Sequence, residues 1–204
     1  MFHPLTPRCA ICSAWHPCWP RPGRRPLRLR QSRTFPISHP STRLCLELLI
    51  QACRERHVLT LLDVGCGSGI LALSAAVLGV PRCVGCDLSA AAVQVSQENA
   101  RRHRLEDRLV WVQGSTEAFR PAFHLVAANL PYQVQLAKQE EFQRLLHPRG
   151  CLIISGFRDT WEDAIAGFYL GQGWRVQRRL TYDRWEPELP QEKSYTWVGL
   201  SLAP

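Results

Sequence analysis

The sequence predicts an α/β fold, in which a mostly parallel sheet is covered by helices on both faces and ends in an antiparallel hairpin. Two observations carry this. From residue 60 onward, apolar runs of strand length alternate with amphipathic stretches of helix length, the pattern of successive βαβ units. The last two runs, WRVQRRLTY (174–182) and SYTWVGLSL (194–202), have only a polar loop between them, so they pair antiparallel. A length of 204 residues suits one such domain with a tail.

Residues 1–40 hold eight of the fifteen prolines, seven arginines and no acid, a mixture that cannot sustain a helix or a central strand. Residues 1–38 are therefore expected to be a disordered Pro/Arg-rich leader whose deletion spares the fold, with the folded domain spanning 39–204. Cys9, Cys12, His16 and Cys18 have the residue types of a zinc site but lack a second spaced ligand pair, and no metal is expected. From Ser41 the texture changes. Ser41 can cap a helix with Leu44, Leu48, Leu49 and Ala52 on one face. Then come TLLDVGC (60–66) and ILALSAAVLG (70–79), RCVGCDL (82–88) and SAAAVQVSQENARRH (89–103), RLVWVQG (108–114), FHLVAANL (123–130) with a polar helix around 134–146, and GCLIISGF (150–157) with TWEDAIAGFYLG (160–171).

The formal charge of +8 is carried entirely by residues 1–46, which hold eight arginines and no acid. The remaining 17 basic and 17 acidic residues cancel, so only the leader offers a phosphate-attracting patch. Arg101, Arg102, His103 and Arg104 read as a solvated helix end whose cations complement the dipole. Nine cysteines are an odd count, without an apolar signal core before them, and predict reduced thiols in a cytoplasm. Cys83 and Cys86 sit in a strand-like run, as core. No apolar run approaches the ~20 residues of a spanning helix, so no membrane partner is expected.

The chemistry concentrates in Asp63-Val64-Gly65-Cys66-Gly67-Ser68-Gly69, between a strand and a helix. Its glycines let the backbone turn sharply and let a ligand approach the N–H groups. Asp87 ends the next strand, where a carboxylate can accept both ribose hydroxyls of a nucleoside. An acid at Asp63 repels a pyrophosphate and suits a cationic ligand such as S-adenosylmethionine; alternatively it caps the helix. Asp87 can equally belong to an ordinary strand-to-helix turn, and Asn129-Leu130-Pro131-Tyr132 to a loop in which Pro131 stops the strand.

DVGCGSG followed by Asp87 resembles the class I S-adenosylmethionine-dependent methyltransferases. More narrowly, HPSTRLCLE (39–47) followed by LLDVGCGSGILALSAAVLGV is similar to the ribosomal protein L11 methyltransferase (PrmA) family. The resemblance covers residues 39–157 and the terminal hairpin in pattern. It implies a Rossmann-like seven-stranded sheet with its last strand antiparallel, S-adenosyl-L-methionine as cofactor, and contacts from Thr42, Gly65, Asp87 and Asn129; Asp63, Gly67, Gly69 and Ser115 complete the expected cofactor set. That family carries an N-terminal recruiting domain, in whose place about 40 Pro- and Arg-rich residues stand here. Asn129-Leu130-Pro131-Tyr132 also resembles the motif of methyltransferases acting on planar amino groups, including rRNA adenines.

The expected activity is N-methylation of a protein amine, with a ribosomal protein as candidate partner. Alternatives are a nucleic-acid base, disfavoured by the charge-balanced body, and a non-catalytic cofactor-binding module. In the catalytic readings, the Asn129 side-chain carbonyl and the Leu130 main-chain carbonyl before Pro131 aim the amine lone pair, and the face of Tyr132 stabilises the developing cation. No general base is assigned. Trp111, Trp161, Trp174 and Trp197 read as packing, and Trp185, near the hairpin loop, is the tryptophan expected to touch substrate.

Overall fold

The computed structural model describes residues 2–7, 9–13, 25–30, 36–120, 122–184 and 195–204. The main sheet is built from β4 (Thr60–Val64), β5 (Arg82–Asp87), β6 (Leu109–Gln113), β7 (Phe123–Asn129), β8 (Leu146–Arg158), β9 (Arg175–Arg184) and β10 (Tyr195–Ala203) in the order β6-β5-β4-β7-β8-β10-β9. All run parallel except β10, which is antiparallel to both β8 and β9. This is the seven-stranded, mostly parallel arrangement the sequence predicts. The strand order reverses between β4 and β7, and in such sheets ligands bind at the carboxyl ends of the strands flanking that point.

Six helices cover the sheet among the described residues: α1 (Pro40–Glu55), α2 (Ile70–Val77), α3 (Ala90–His103), α4 (Tyr132–Ala137), α5 (Gln139–Leu145) and α6 (Glu162–Leu170). The core splits across it. One cluster gathers α1 and α2 residues such as Leu46, Leu49, Leu71 and Leu73; the other gathers Phe142, Leu145, Phe157, Ile165 and Tyr169. Pro40 opens α1 where its missing N–H costs nothing. The cap is His39, whose Nδ1 accepts the Ser41 N–H at 3.3 Å, and not Ser41 itself. None of the helices is long and apolar enough to cross a membrane.

The described part of the leader departs from expectation. β1 (Phe2–Thr6), β2 (Cys9–Ser13) and β3 (Arg25–Leu29) form a second sheet, with β1–β2 antiparallel and β2–β3 parallel. Leu5, Ile11, Leu27, Leu29 and Ile37 are buried in the same core as α1 and α2. Proline density misleads here because Pro4 and Pro26 lie on the two edge strands, where a missing ladder donor is tolerated, while the central strand CAICS has none. Of the zinc candidates, Cys9 and Cys12 lie on β2, and His16 and Cys18 lie outside the described residues.

Candidate active site

A cavity of about 640 Å³ opens at the carboxyl ends of β4, β5 and β7, lined by Asp63, Gly65, Gly67, Asp87, Ser115, Asn129, Leu130 and Pro131 among others. Eight of the residues singled out in the sequence thus meet in one space of cofactor size. Gly69, Thr42 and Tyr132 are outside its lining.

Gly65, Gly67 and Gly69 all have positive φ, at 67°, 57° and 76°, where an L side chain is strained. The turn is closed by the Gly69 N–H on the Cys66 carbonyl at 2.7 Å and the Cys66 N–H on the Cys86 carbonyl at 2.9 Å. Asp87 caps this arrangement from the neighbouring strand. Its Oδ2 accepts the Gly67 N–H and its Oδ1 the Ser89 N–H, both at 2.9 Å. Each carboxylate oxygen has accepting capacity left, so Asp87 can take a pair of vicinal hydroxyls without giving up the bonds that orient it. The Gly114 N–H on the Asp87 carbonyl, at 3.0 Å, brings Ser115 to the same end.

Asp63 lies deeper than expected of a ligand-facing acid. It is 1% exposed and its Oδ2 accepts the Ala72 N–H at 3.0 Å, so it caps the first turn of α2. Burial pushes its carboxyl up to about 7; the Ala72 and Leu71 N–H groups oppose this and the Asp87 charge adds to it. Asp63 still lines the cavity floor.

Across the cavity, β7 ends in Asn129, 9% exposed. Its Nδ2 donates to Thr42 Oγ1 at 3.1 Å, while Oδ1 is buried without a partner. Thr42 therefore stands behind Asn129 and holds one end of its amide. Leu130 is wedged between two glycines: a Cβ on Gly65 would come within 2.4 Å of Leu130 Cδ2, and one on Gly156 within 2.3 Å of the Leu130 carbonyl oxygen.

Gln135 was not foreseen. Fully buried, its Nε2 reaches the Ala128 and Ser155 carbonyls at 2.8 and 2.9 Å and, more distantly, that of Leu130 at 3.4 Å, pinning the backbone on both sides of Asn129. Lys138 on the cavity rim pairs with Glu117, whose carboxyl it holds well below the usual range. The Tyr132 ring stacks on Trp161 with centroids 3.8 Å apart and planes 11° apart. Trp161, read as packing, thus covers one face of the ring assigned to the developing cation, and Trp185 lies outside the described residues.

The family described as ribosomal protein L11 methyltransferase (PrmA) matches residues 3–188. The chain belongs to the PrmA family. The match begins inside the segment expected to be a leader. A ribosomal protein L11 methyltransferase of Sorangium cellulosum is 38% identical over 167 residues, covering 81% of this chain and 53% of that protein. One of Thermotoga maritima is 33% identical over 147 residues, covering 72% and 54%. The chain thus spans about half the length of these relatives. Among solved structures, a ribosomal protein L11 methylase from Lactobacillus delbrueckii subsp. bulgaricus superposes with a TM-score of 0.77 over 99% of this chain and 96% of that one, at 23% identity. A putative RNA methyltransferase from Pyrococcus horikoshii reaches 0.66 at 19% identity over 86% and 92%. At such identities these two speak for the fold, that of the class I methyltransferases.

Proposed function

We propose that this PrmA-family chain is a cytoplasmic S-adenosylmethionine-dependent N-methyltransferase whose acceptor is a protein amino group, a ribosomal protein being the first candidate. The observation that carries it is the buried, unpartnered Oδ1 of Asn129, a residue that lines one cavity together with the Gly65–Gly67 turn and Asp87. A buried acceptor without a partner costs about 1–3 kcal/mol, and an incoming N–H relieves that cost. The cofactor fits: Asp87 offers two acceptors for ribose hydroxyls, the glycine turn offers close approach, and bound there it supplies an electrophilic methyl on a sulfonium.

The residues of the chain then mainly orient. Asn129 Oδ1 accepts an N–H of the neutral amine, so that the nitrogen lone pair points away from it. The Leu130 carbonyl, packed on Gly156 and touched by Gln135, is a weaker second acceptor than the sequence implies. Trp161 covers one face of Tyr132 and leaves the other for an incoming group, while the charge-balanced body favours a protein amine over a nucleobase. An orienting amide left unpartnered also argues against a non-catalytic module.

Transfer of radiolabelled methyl groups from S-adenosylmethionine into fractionated lysate tests the reading. Label that disappears on protease digestion and survives nuclease is expected; the reverse pattern would move the acceptor to nucleic acid.

The buried Asp63 gives a second expected result. Since its carboxyl is raised from 3.8 to about 7, the charged form is the disfavoured one. Its contribution to the stability of the unliganded protein is present at about pH 4 and is lost as pH rises through 7. A sulfonium nearby favours the charged form. The affinity ratio of S-adenosylmethionine to uncharged-sulfur S-adenosylhomocysteine should therefore rise several-fold between pH 6 and 8, and an Asp63→Asn variant should flatten it. A parental ratio independent of pH, read by calorimetry, would place the sulfonium away from Asp63.

A further inference from the structure

The arginines of the N-terminal segment and the basic end of α3 are far apart in sequence, and the fold brings them together. β3 buries Leu27 and Leu29 and exposes Arg28 between them, and Arg30, just past its end, is exposed too. It lies beside α3: His103 Nε2 meets the Arg28 carbonyl at 2.8 Å, and the Asn99 side-chain amide bonds the Arg30 N–H and carbonyl at 2.9 and 2.8 Å. Arg30 also pairs with Glu98 at 2.5 Å. Exposed Arg101, Arg102 and Arg104 continue this surface from the last turn of α3. The opposing acids are Glu98, already paired, and the exposed Glu106 and Asp107.

Dipole complementarity accounts for Arg101 and Arg102 within the last turn. It does not account for Arg104, which closes α3 in the left-handed region at φ 57°, the single non-glycine residue with positive φ among those described. Glycine occupies such helix ends without strain; here an arginine does, and strain of this kind marks a functional constraint more often than chance.

We infer that β3 and the C-terminal end of α3 form a docking surface for a polynucleotide, read through its phosphates and separate from the methyl-transfer site. The residue choice fits phosphate, since arginine presents a planar fork of donors. Among the described residues none of the large exposed apolar side chains belongs to β3 or α3, so these two elements supply neither the anchors that insert into a bilayer nor the apolar centre of a protein interface. Among the described residues β3 and α3 carry no aromatic platform for bases, so phosphate contacts without sequence preference dominate there. The N-terminal half of α3 lines the cofactor cavity through Ala91, Ala92 and Val95, and a helix of 14 residues rises about 20 Å, so the docked strand lies about that far from the acceptor site. The inference does not depend on the methyl-transfer reading.

Anisotropy of a labelled single-stranded 20-nucleotide RNA of mixed sequence, titrated with the full chain over a range of salt, tests it. Binding whose log–log salt slope falls by about 2 in Arg101→Gln/Arg102→Gln/Arg104→Gln is expected, at about 0.7 per phosphate contact, with about 100-fold weaker binding at 0.1 M salt. Arg104→Gly alone should raise the melting temperature while lowering the slope by about 0.7, a combination that a merely structural arginine does not give. A parent without salt-dependent binding, a triple variant that binds as the parent does, or equal affinity for polyglutamate of the same charge would each overturn the assignment.

Discussion

A chain lacking residues 1–30 is expected to melt about 10 °C or more below the full-length protein and to bind S-adenosylmethionine about tenfold more weakly. The loss does not come from the burial of Leu5, Ile11, Leu27 and Leu29 themselves, because the entropy of ordering their segment disappears with them. It comes from what they cover. The first core cluster joins these residues to Leu46, Leu49 and Ile50 of α1 and to α2. Exposing two such side chains costs about 1.5–3 kcal/mol each, and 1 kcal/mol moves the transition of a protein this size by about 2–4 °C.

The effect on the cofactor runs through Asn99. This buried amide holds the Arg30 backbone and also donates to the Ser68 carbonyl at 2.9 Å. The N-terminal sheet is thereby tied to the turn that receives the ligand. Losing the two Arg30 bonds frees the amide to reorient, and one hydrogen bond's worth of misplacement, about 1–1.5 kcal/mol, gives the tenfold. Equal melting temperatures of the two chains would show that the small sheet adds nothing to the core. Unchanged calorimetric affinity in a truncated chain that still melts lower would confine its role to stability.

What the sequence revealed and what it hid divide along chain separation. The glycine turn, Asp87 and Asn129-Leu130-Pro131-Tyr132 are local strings at strand ends, and the alternation of runs fixes which end of the sheet they share. Thr42 is implied only by the family resemblance of its HPST string. Gln135, Asn99 and Trp161 matter only through partners that folding brings to them: Ser155, Arg30 and Tyr132 are 20, 69 and 29 positions away. Three residues, Gly156, Ser96 and Asn99, do leave signals in the sequence. Gly156 interrupts an apolar strand, a usual mark of close backbone approach, and it is where Leu130 rests. Ser96 and Asn99 are polar residues on the face of α3 that buries Ala92, Val93 and Ala100, and such residues need partners. The N-terminal segment reads as disordered because proline density does not say which strand of a small sheet carries each proline.

Asn129→Ala is expected to lower turnover about 100-fold at saturating cofactor while changing acceptor KM by only a few-fold. Of the residues lining the cavity, Asn129 is the one with a buried side-chain acceptor, Oδ1, that has no partner, while Thr42 takes its Nδ2. An interaction that directs a lone pair is worth most as the transition state is approached, so its loss falls on kcat, and misaligned reacting atoms cost about this factor. The variant also leaves Thr42 Oγ1 without that donor, at about 1–2 kcal/mol of stability, so rates should be compared well below both transitions. Tyr132→Phe keeps the ring stacked on Trp161 and should be mild. If Asn129→Ala turned over at the parental rate with cofactor saturating, the orienting role of this loop would be lost, and a cofactor-binding module without catalysis would become the better account of the cavity.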